Sequence, residues 1–283
     1  AELWERLQAQ TKRLRQRLTA SMATRYSTNT IETAQVRHVF AALAEFSDIY
    51  VETRLYPPLA PAHDSSDSPS FTPSQAIKTA DRLVVIGRPG SGRTALLNHL
   101  LLLQASKVRQ VGEQEQVPVY VYLPAMAIEL RNLVDADAAD VRIDAPAETL
   151  VRTTLSSMSR VVATGVARWL RRQIEAGNAL ILLDGWDELP ATDRTAAVHW
   201  IQELIAIYTS IRVVVAAGER GYAPLTELGF ALVRPVPWKN RQFVELARRW
   251  YEAWPTRGDA SGGSPPSITY TLTPPSPFEA TLE

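Results

Sequence analysis

Residues 84–97, VVIGRPGSGRTALL, run from an apolar stretch through a glycine-rich turn into a helical pattern. Gly87, Arg88, Pro89, Gly90, Ser91, Gly92, Arg93 and Thr94 follow the spacing of a phosphate-binding loop, G-x-x-x-x-G-K-[ST], except that Arg93 stands where the lysine should be. The residue types suit the chemistry. Glycines let the backbone turn tightly and bring its N–H groups against a phosphate, and the following helix adds the positive end of its dipole. Gly87, Pro89, Gly90, Ser91, Gly92, Arg93, Thr94 and Ala95 are the candidate nucleotide-binding residues. The Thr94 hydroxyl is a candidate ligand for Mg2+, which keeps most of its waters and takes few protein ligands. Arg93 carries its charge on a planar fork rather than a compact ammonium, which predicts a weakened grip on a terminal phosphate and slower hydrolysis.

ALILLDGWDELP supplies what such a loop needs opposite it. Leu180 to Leu183 read as a buried strand ending in Asp184, at the edge where ligands collect in parallel sheets. Asp184 is expected to hold Mg2+ beside Thr94. Asp187 and Glu188 follow on the turn, where a carboxylate can orient or deprotonate an attacking water, and Glu188 is the preferred base. Taken alone, the pair reads better as an acidic helix cap or turn. The glycine loop upstream tips the reading toward chemistry, as does the cost of burying an unpartnered carboxylate. Trp186, inside this turn, is assigned to core or hinge packing rather than to stacking on a base. His38, His63, His99 and His199 lack ligand spacing, so no zinc site is expected.

These loops need a scaffold, and short apolar runs alternate with helical stretches from residue 82 onward: RLVVIG, VPVYVYLP, ALILLDG, IRVVVAAG and FALVRPV. Continuous apolarity marks strands buried on both faces, and intervening helices make the crossovers parallel. The expectation is a doubly wound, mostly parallel α/β sheet of the P-loop type with an N-terminal helical arm. In that arm, residues 1–20 place Leu3, Leu7, Leu14 and Leu18 on an amphipathic helix, and IETAQVRHVFAALAEF reads as a second one. The basic cluster Lys12, Arg13, Arg15 and Arg17 reads as a solvated face. The expected boundaries are a helical arm over 1–56, a Pro/Ser/Asp-rich linker over 57–76, the core over 77–239, the start of a helical domain over 240–256, and a Pro/Gly/Ser-rich tail over 257–283.

The chain has 283 residues, 46% of them hydrophobic, with 30 basic residues balancing 30 acidic ones. That is enough for a sizeable core, and no global field favours nucleic acid or an anionic membrane. The absence of cysteine excludes disulfides and thiolate chemistry and fits a reducing compartment, so a cytoplasmic location is expected. No apolar run reaches the ~18 residues of a membrane span. A start at Ala1 with no signal-like region reads as a trimmed boundary.

RLVVIGRPGSGRTALLNHL, VPVYVYLP and LILLDGWDELP, in this order, resemble a NACHT domain of the STAND class of P-loop NTPases, bacterial members especially. The family's acidic strand has apolar residues, Asp, a small residue, any residue, Asp and Glu, matched here by Asp184, Gly185, Trp186, Asp187 and Glu188. YVETRL and GYAPL also resemble stretches around this domain. The resemblance implies an ATP- or GTP-dependent switch that forms a homo-oligomer when activated, with attached sensor and effector domains. Two departures stand out. Arg93 replaces the loop lysine, and Ala216, Ala217 and Gly218 occupy the strand end where the family usually has Thr-Ser-Arg. Arg220 reads first as an exposed loop arginine and second as a substitute. Both departures touch the terminal phosphate and spare the phosphate cradle, which points to lost turnover more than lost binding. The alternative is a pseudo-NTPase interaction scaffold that binds no nucleotide.

Overall fold

A computed structural model describes residues 2–38, 41, 44–57, 70–111, 115–128, 130–131, 146–156, 158 and 160–258. Most of the expected linker and of the expected tail lies outside these residues.

Each of the five apolar runs is a strand: β2 (Arg82–Ile86), β3 (Val117–Tyr122), β4 (Ala179–Asp184), β5 (Arg212–Ala217) and β6 (Ala231–Pro235). A two-residue edge strand, β1 (Leu55–Tyr56), precedes them and runs antiparallel to β6; its brevity left no pattern to read. The sheet order is β1-β6-β2-β5-β4-β3, and every pairing from β6 to β3 is parallel. Thus β5 lies between the strand that feeds the glycine loop and the strand that ends in Asp184.

Both faces are covered, which is why the strands lack polar alternation. Leu83, Val85, Leu180, Leu182 and Val214 face one way, toward Leu96, Leu97, Leu100 and Leu101 of α4 (Arg93–Val111). Val84, Ile86, Ile181, Leu183 and Val215 face the other, toward α5 (Pro146–Leu155), α6 (Arg160–Glu175) and α7 (Ala191–Ile207). A period of two puts Asp184 on the same face as Leu180 and Leu182, so its carboxylate points toward the N-terminal turn of α4.

The N-terminal segment departs from expectation. Instead of two helices there is one, α1 (Glu2–Gln35), because nothing between Ala20 and Ile31 breaks a helix. Leu14 and Leu18 are 60% and 61% exposed, and burial begins at Ala23 and Tyr26. From there α1 lies against α4 and α6. The Tyr26 hydroxyl donates to the Pro118 carbonyl (2.7 Å), and the Asn98 amide of α4 donates to the Ala34 carbonyl (2.9 Å). The chain leaves α1 at Val36 and turns into the short α2 (Phe46–Ile49).

α3 (Pro73–Thr79) begins inside the stretch read as linker. Thr72 and Gln75 cap each other reciprocally and Pro73 opens the helix, a start signal in its own right. After β5 come α8 (Ala223–Glu227), β6 and finally α9 (Asn240–Gly258), which packs on α2, its Arg249 donating to the Tyr50 carbonyl (2.6 Å). Among the described residues no helix is long and apolar enough to cross a membrane.

Candidate functional site

The glycine loop bridges β2 and α4. Gly87 donates its N–H to the carbonyl of Ala217 at the end of β5 (3.3 Å), which ties the loop to the neighbouring strand. A Cβ on Gly87 would stand 2.4 Å from the Ser91 hydroxyl oxygen, so the loop closes on itself there only because the side chain is absent. Gly90 and Gly92 take φ values of +79° and +85°, a left-handed bend that other residues adopt at a cost. The bend delivers the chain into α4, whose first backbone bond runs from Leu96 N–H to Gly92 carbonyl (2.8 Å). Ser91 Oγ is buried with no hydrogen-bond partner, a polar atom inside the cradle that the protein itself leaves unsatisfied.

Thr94, on the first turn of α4, donates to Asp184 Oδ1 (3.3 Å). The same oxygen accepts the Gly185 N–H (2.9 Å), and Oδ2 accepts the Tyr120 hydroxyl (2.9 Å). Asp184 is buried, and its carboxylate is held by three donors from three parts of the chain. The two expected metal ligands therefore stand together at the mouth of the loop. Gly185 then turns the chain at φ +80°, where a Cβ would lie 2.7 Å from the Tyr122 ring and 2.8 Å from Pro124.

Past that turn, Trp186–Glu188 forms a short 3-10 helix. Trp186 is fully buried and donates its indole N–H to the Gly221 carbonyl (2.9 Å), which is the packing role expected of it. Asp187 and Glu188 point outward to different partners. Arg93 donates both terminal nitrogens to the two oxygens of Asp187, each at 3.0 Å. The Tyr122 hydroxyl donates to Glu188 Oε2, and that bond, together with partial burial, pushes the phenol up to about 12. The Tyr120 phenol is raised as well, by burial first and by Asp184 second, so both phenols stay protonated donors.

The two tyrosines are neighbours of the candidate site that the sequence reading missed. Their signal was present in β3, VPVYVY, where a period of two puts Tyr120 and Tyr122 on the face that carries Asp184.

Two cavities open from the loop. The larger, about 890 Å³, is walled on one side by Gly87 to Gly92 and Ala95. Its far wall is apolar and aromatic, built from Phe46, Ile49, Tyr50 and Val51 before the core and from Pro237 and Trp238 after β6. The smaller, about 320 Å³, is lined by Arg88, Asp187, Arg194, Gly218, Glu219 and Arg220. Arg220 thus shares a cavity with Asp187. Gly218, where the family usually has an arginine, lies so close to Asp187 that a Cβ there would be 3.1 Å from the aspartate Cβ.

A strand, a glycine bend closed onto a helix N-terminus, and a buried carboxylate two strands away define the chain as an α/β protein of the P-loop NTPase class. The family model for the NACHT domain matches residues 81–252, more than half of the chain, and the protein belongs to the NACHT family. NACHT domains are nucleotide-binding NTPase modules of signalling and defence proteins. No curated protein matches the chain.

Proposed function

We propose that this protein is a NACHT-type regulatory switch module that binds ATP or GTP with Mg2+ and hydrolyses it slowly. The observation that carries the proposal is the 3.3 Å approach of Thr94 Oγ1 to Asp184 Oδ1 at the end of a loop that Gly90 and Gly92 bend through positive φ into the N-terminus of α4, a backbone shape that suits a phosphate.

In this reading Gly87, Pro89, Gly90, Ser91, Gly92 and Ala95 cradle the phosphates. Thr94 and Asp184 hold Mg2+, two protein ligands being the number such an ion commonly takes when it keeps its waters. The metal, when bound, neutralises charge on the phosphates. The Phe46-to-Val51 segment and the Pro237–Trp238 segment supply the apolar slot for the purine. Glu188 remains the preferred base, because Asp187 commits both oxygens to Arg93 whereas Glu188 engages one oxygen with Tyr122. Slow turnover follows from the same contact: the loop cation is held by a carboxylate instead of lying free for a terminal phosphate. Oligomerisation and attached sensor or effector domains belong to the proposal through the family alone.

The Arg93–Asp187 pair also supports a second reading, a scaffold in which the ion pair is permanent and no nucleotide enters. Titration with fluorescent ATP and GTP analogues, with and without Mg2+, separates the two. Saturable, Mg2+-dependent binding supports the switch, and its absence supports the scaffold. Steady-state hydrolysis at or above ~1 s⁻¹ would overturn slow turnover.

A further inference from the structure

We propose that Arg37, in the turn that follows α1, reads the terminal phosphate of a bound nucleoside triphosphate and thereby couples the N-terminal helix to the nucleotide state. The inference rests on the nucleotide-binding reading above and adds a residue that neither the glycine loop nor the acidic turn contains.

The guanidinium carbon of Arg37 lies 3.8 Å from the centroid of the Tyr120 ring. Such stacking stabilises the cation but gives its N–H groups no acceptor, and Arg37 Nη1 is buried with no hydrogen-bond partner. An unfilled buried donor on a cation is costly, and a nearby anion relieves it. The hydroxyl of that same ring is bonded to Asp184 Oδ2, while Oδ1 meets Thr94. Arg37 therefore sits over the ring of the side chain that orients the proposed metal ligand.

The other cations near this site are engaged or solvent-facing. Arg93 is bonded twice to Asp187. Arg88 is 84% exposed and pairs with Glu219 at 3.4 Å. Arg194 donates to the Leu189 carbonyl, and Arg220 is exposed. The end of β5, Ala216 and Ala217 followed by Gly218, offers no charge. Among the described residues, Arg37 is the arginine with a buried, unbonded donor.

Its backbone is well placed for the role. Arg37 N–H bonds to the Ala34 carbonyl (3.3 Å), which also accepts from Asn98 on α4, and Tyr26 pins α1 to β3. The side chain alone has to swing from the ring face to a phosphate oxygen. A triphosphate would then hold Arg37 at the site and steady the turn that carries it, whereas a diphosphate would leave Arg37 on Tyr120.

The test is equilibrium binding of an imido triphosphate analogue and of the matching diphosphate, both with Mg2+, to the full chain and its Arg37→Gln and Arg37→Lys variants. The expected result for Arg37→Gln is a loss of about tenfold or more in triphosphate affinity, the scale of one charge-assisted hydrogen bond. Diphosphate affinity should change less than about twofold, and Arg37→Lys should recover part of the difference. Equal weakening of both ligands, or an unchanged ratio, overturns the role of Arg37 while leaving nucleotide binding intact. A wild-type chain that binds neither ligand overturns both readings together. If Arg37→Gln does not fold, hydrogen exchange on the wild type decides. Amides of residues 34–38 must be protected more by the triphosphate than by the diphosphate, and equal protection overturns the proposal.

Discussion

Arg93 and Asp187 face each other as a two-pronged ion pair, with both nitrogen-to-oxygen distances at 3.0 Å. The pair joins the first residue of α4 to the acidic turn after β4, and the arginine side chain is 11% exposed against 32% for the aspartate. A planar guanidinium fits this bidentate geometry and an ammonium does not. The residue that departs from the phosphate-loop pattern is therefore the one that closes the loop onto the acidic turn.

Replacing Arg93 by lysine should release Asp187 and restore a point charge able to follow a terminal phosphate. Arg93→Lys is expected to raise steady-state hydrolysis by about tenfold or more, equivalent to about 1.4 kcal/mol of barrier. The partly exposed pair should cost less than about 1 kcal/mol of stability when broken. Phosphate-release kinetics beside thermal unfolding measures both, and an unchanged rate would show that Arg93 does not limit turnover.

Gly87→Ala places a methyl group where Ser91 Oγ now lies, 2.4 Å from the ideal Cβ. The loop has to open, so nucleotide affinity should fall by more than about tenfold. The loop sits at the rim and not in the core, so the unfolding midpoint should move little. Fluorescent-analogue titration of this variant checks the expectation; wild-type affinity would mean that the backbone of this bend does not contact phosphate.

Asp184→Asn keeps the shape of the side chain and an oxygen for either Gly185 or Tyr120, but removes the charge that would hold a cation. Nucleotide binding by this variant is expected to lose its dependence on Mg2+. Titrations with Mg2+ and with EDTA should then coincide; a persistent Mg2+ effect would place the metal elsewhere.

Trp186→Phe removes a fully buried indole whose N–H bonds the Gly221 carbonyl at 2.9 Å. The orphaned carbonyl and the smaller ring together should cost about 2–4 kcal/mol. Chemical denaturation gives the value, and a loss below about 1 kcal/mol would contradict the packing role.

His99 stacks on Tyr50 with ring centroids 4.3 Å apart, and burial holds its imidazole below the usual 6.5, partly offset by Glu52. The folded state therefore binds fewer protons at this site than the unfolded chain, so stability falls as pH drops below about 6.5. A His99→Phe variant should show a smaller fall in unfolding midpoint between pH 7.5 and pH 5 than the wild type. Parallel melting curves for the two proteins would contradict this.

Local pattern was enough for much of the protein. Continuous apolarity in RLVVIG, VPVYVYLP, ALILLDG, IRVVVAAG and FALVRPV marked five strands; burial on both faces leaves β2, β4 and β5 without polar alternation, whereas in β6, beside the sheet edge, only Val233 is buried. The glycine spacing and the Asp184–Glu188 turn were equally local, since tight turns restrict which residues fit. Chain signals misled at α1, where Leu14 and Leu18 follow a helical period yet stay exposed, because an apolar stripe does not state whether a partner surface lies opposite it.

The tertiary structure decided what meets what. Placing β5 between β2 and β4 brought Arg93 to Asp187 across 94 residues of chain and Thr94 to Asp184 across 90. Strand order likewise set Tyr120 on Asp184, and Arg37 on Tyr120 depended on how α1 docks along α4. The apolar slot joins residues 46–51 to residues 237–238, segments with no shared motif. Periodicity reports which face of an element is buried; strand order and helix docking depend on the summed packing of distant elements, which no single stretch of sequence encodes.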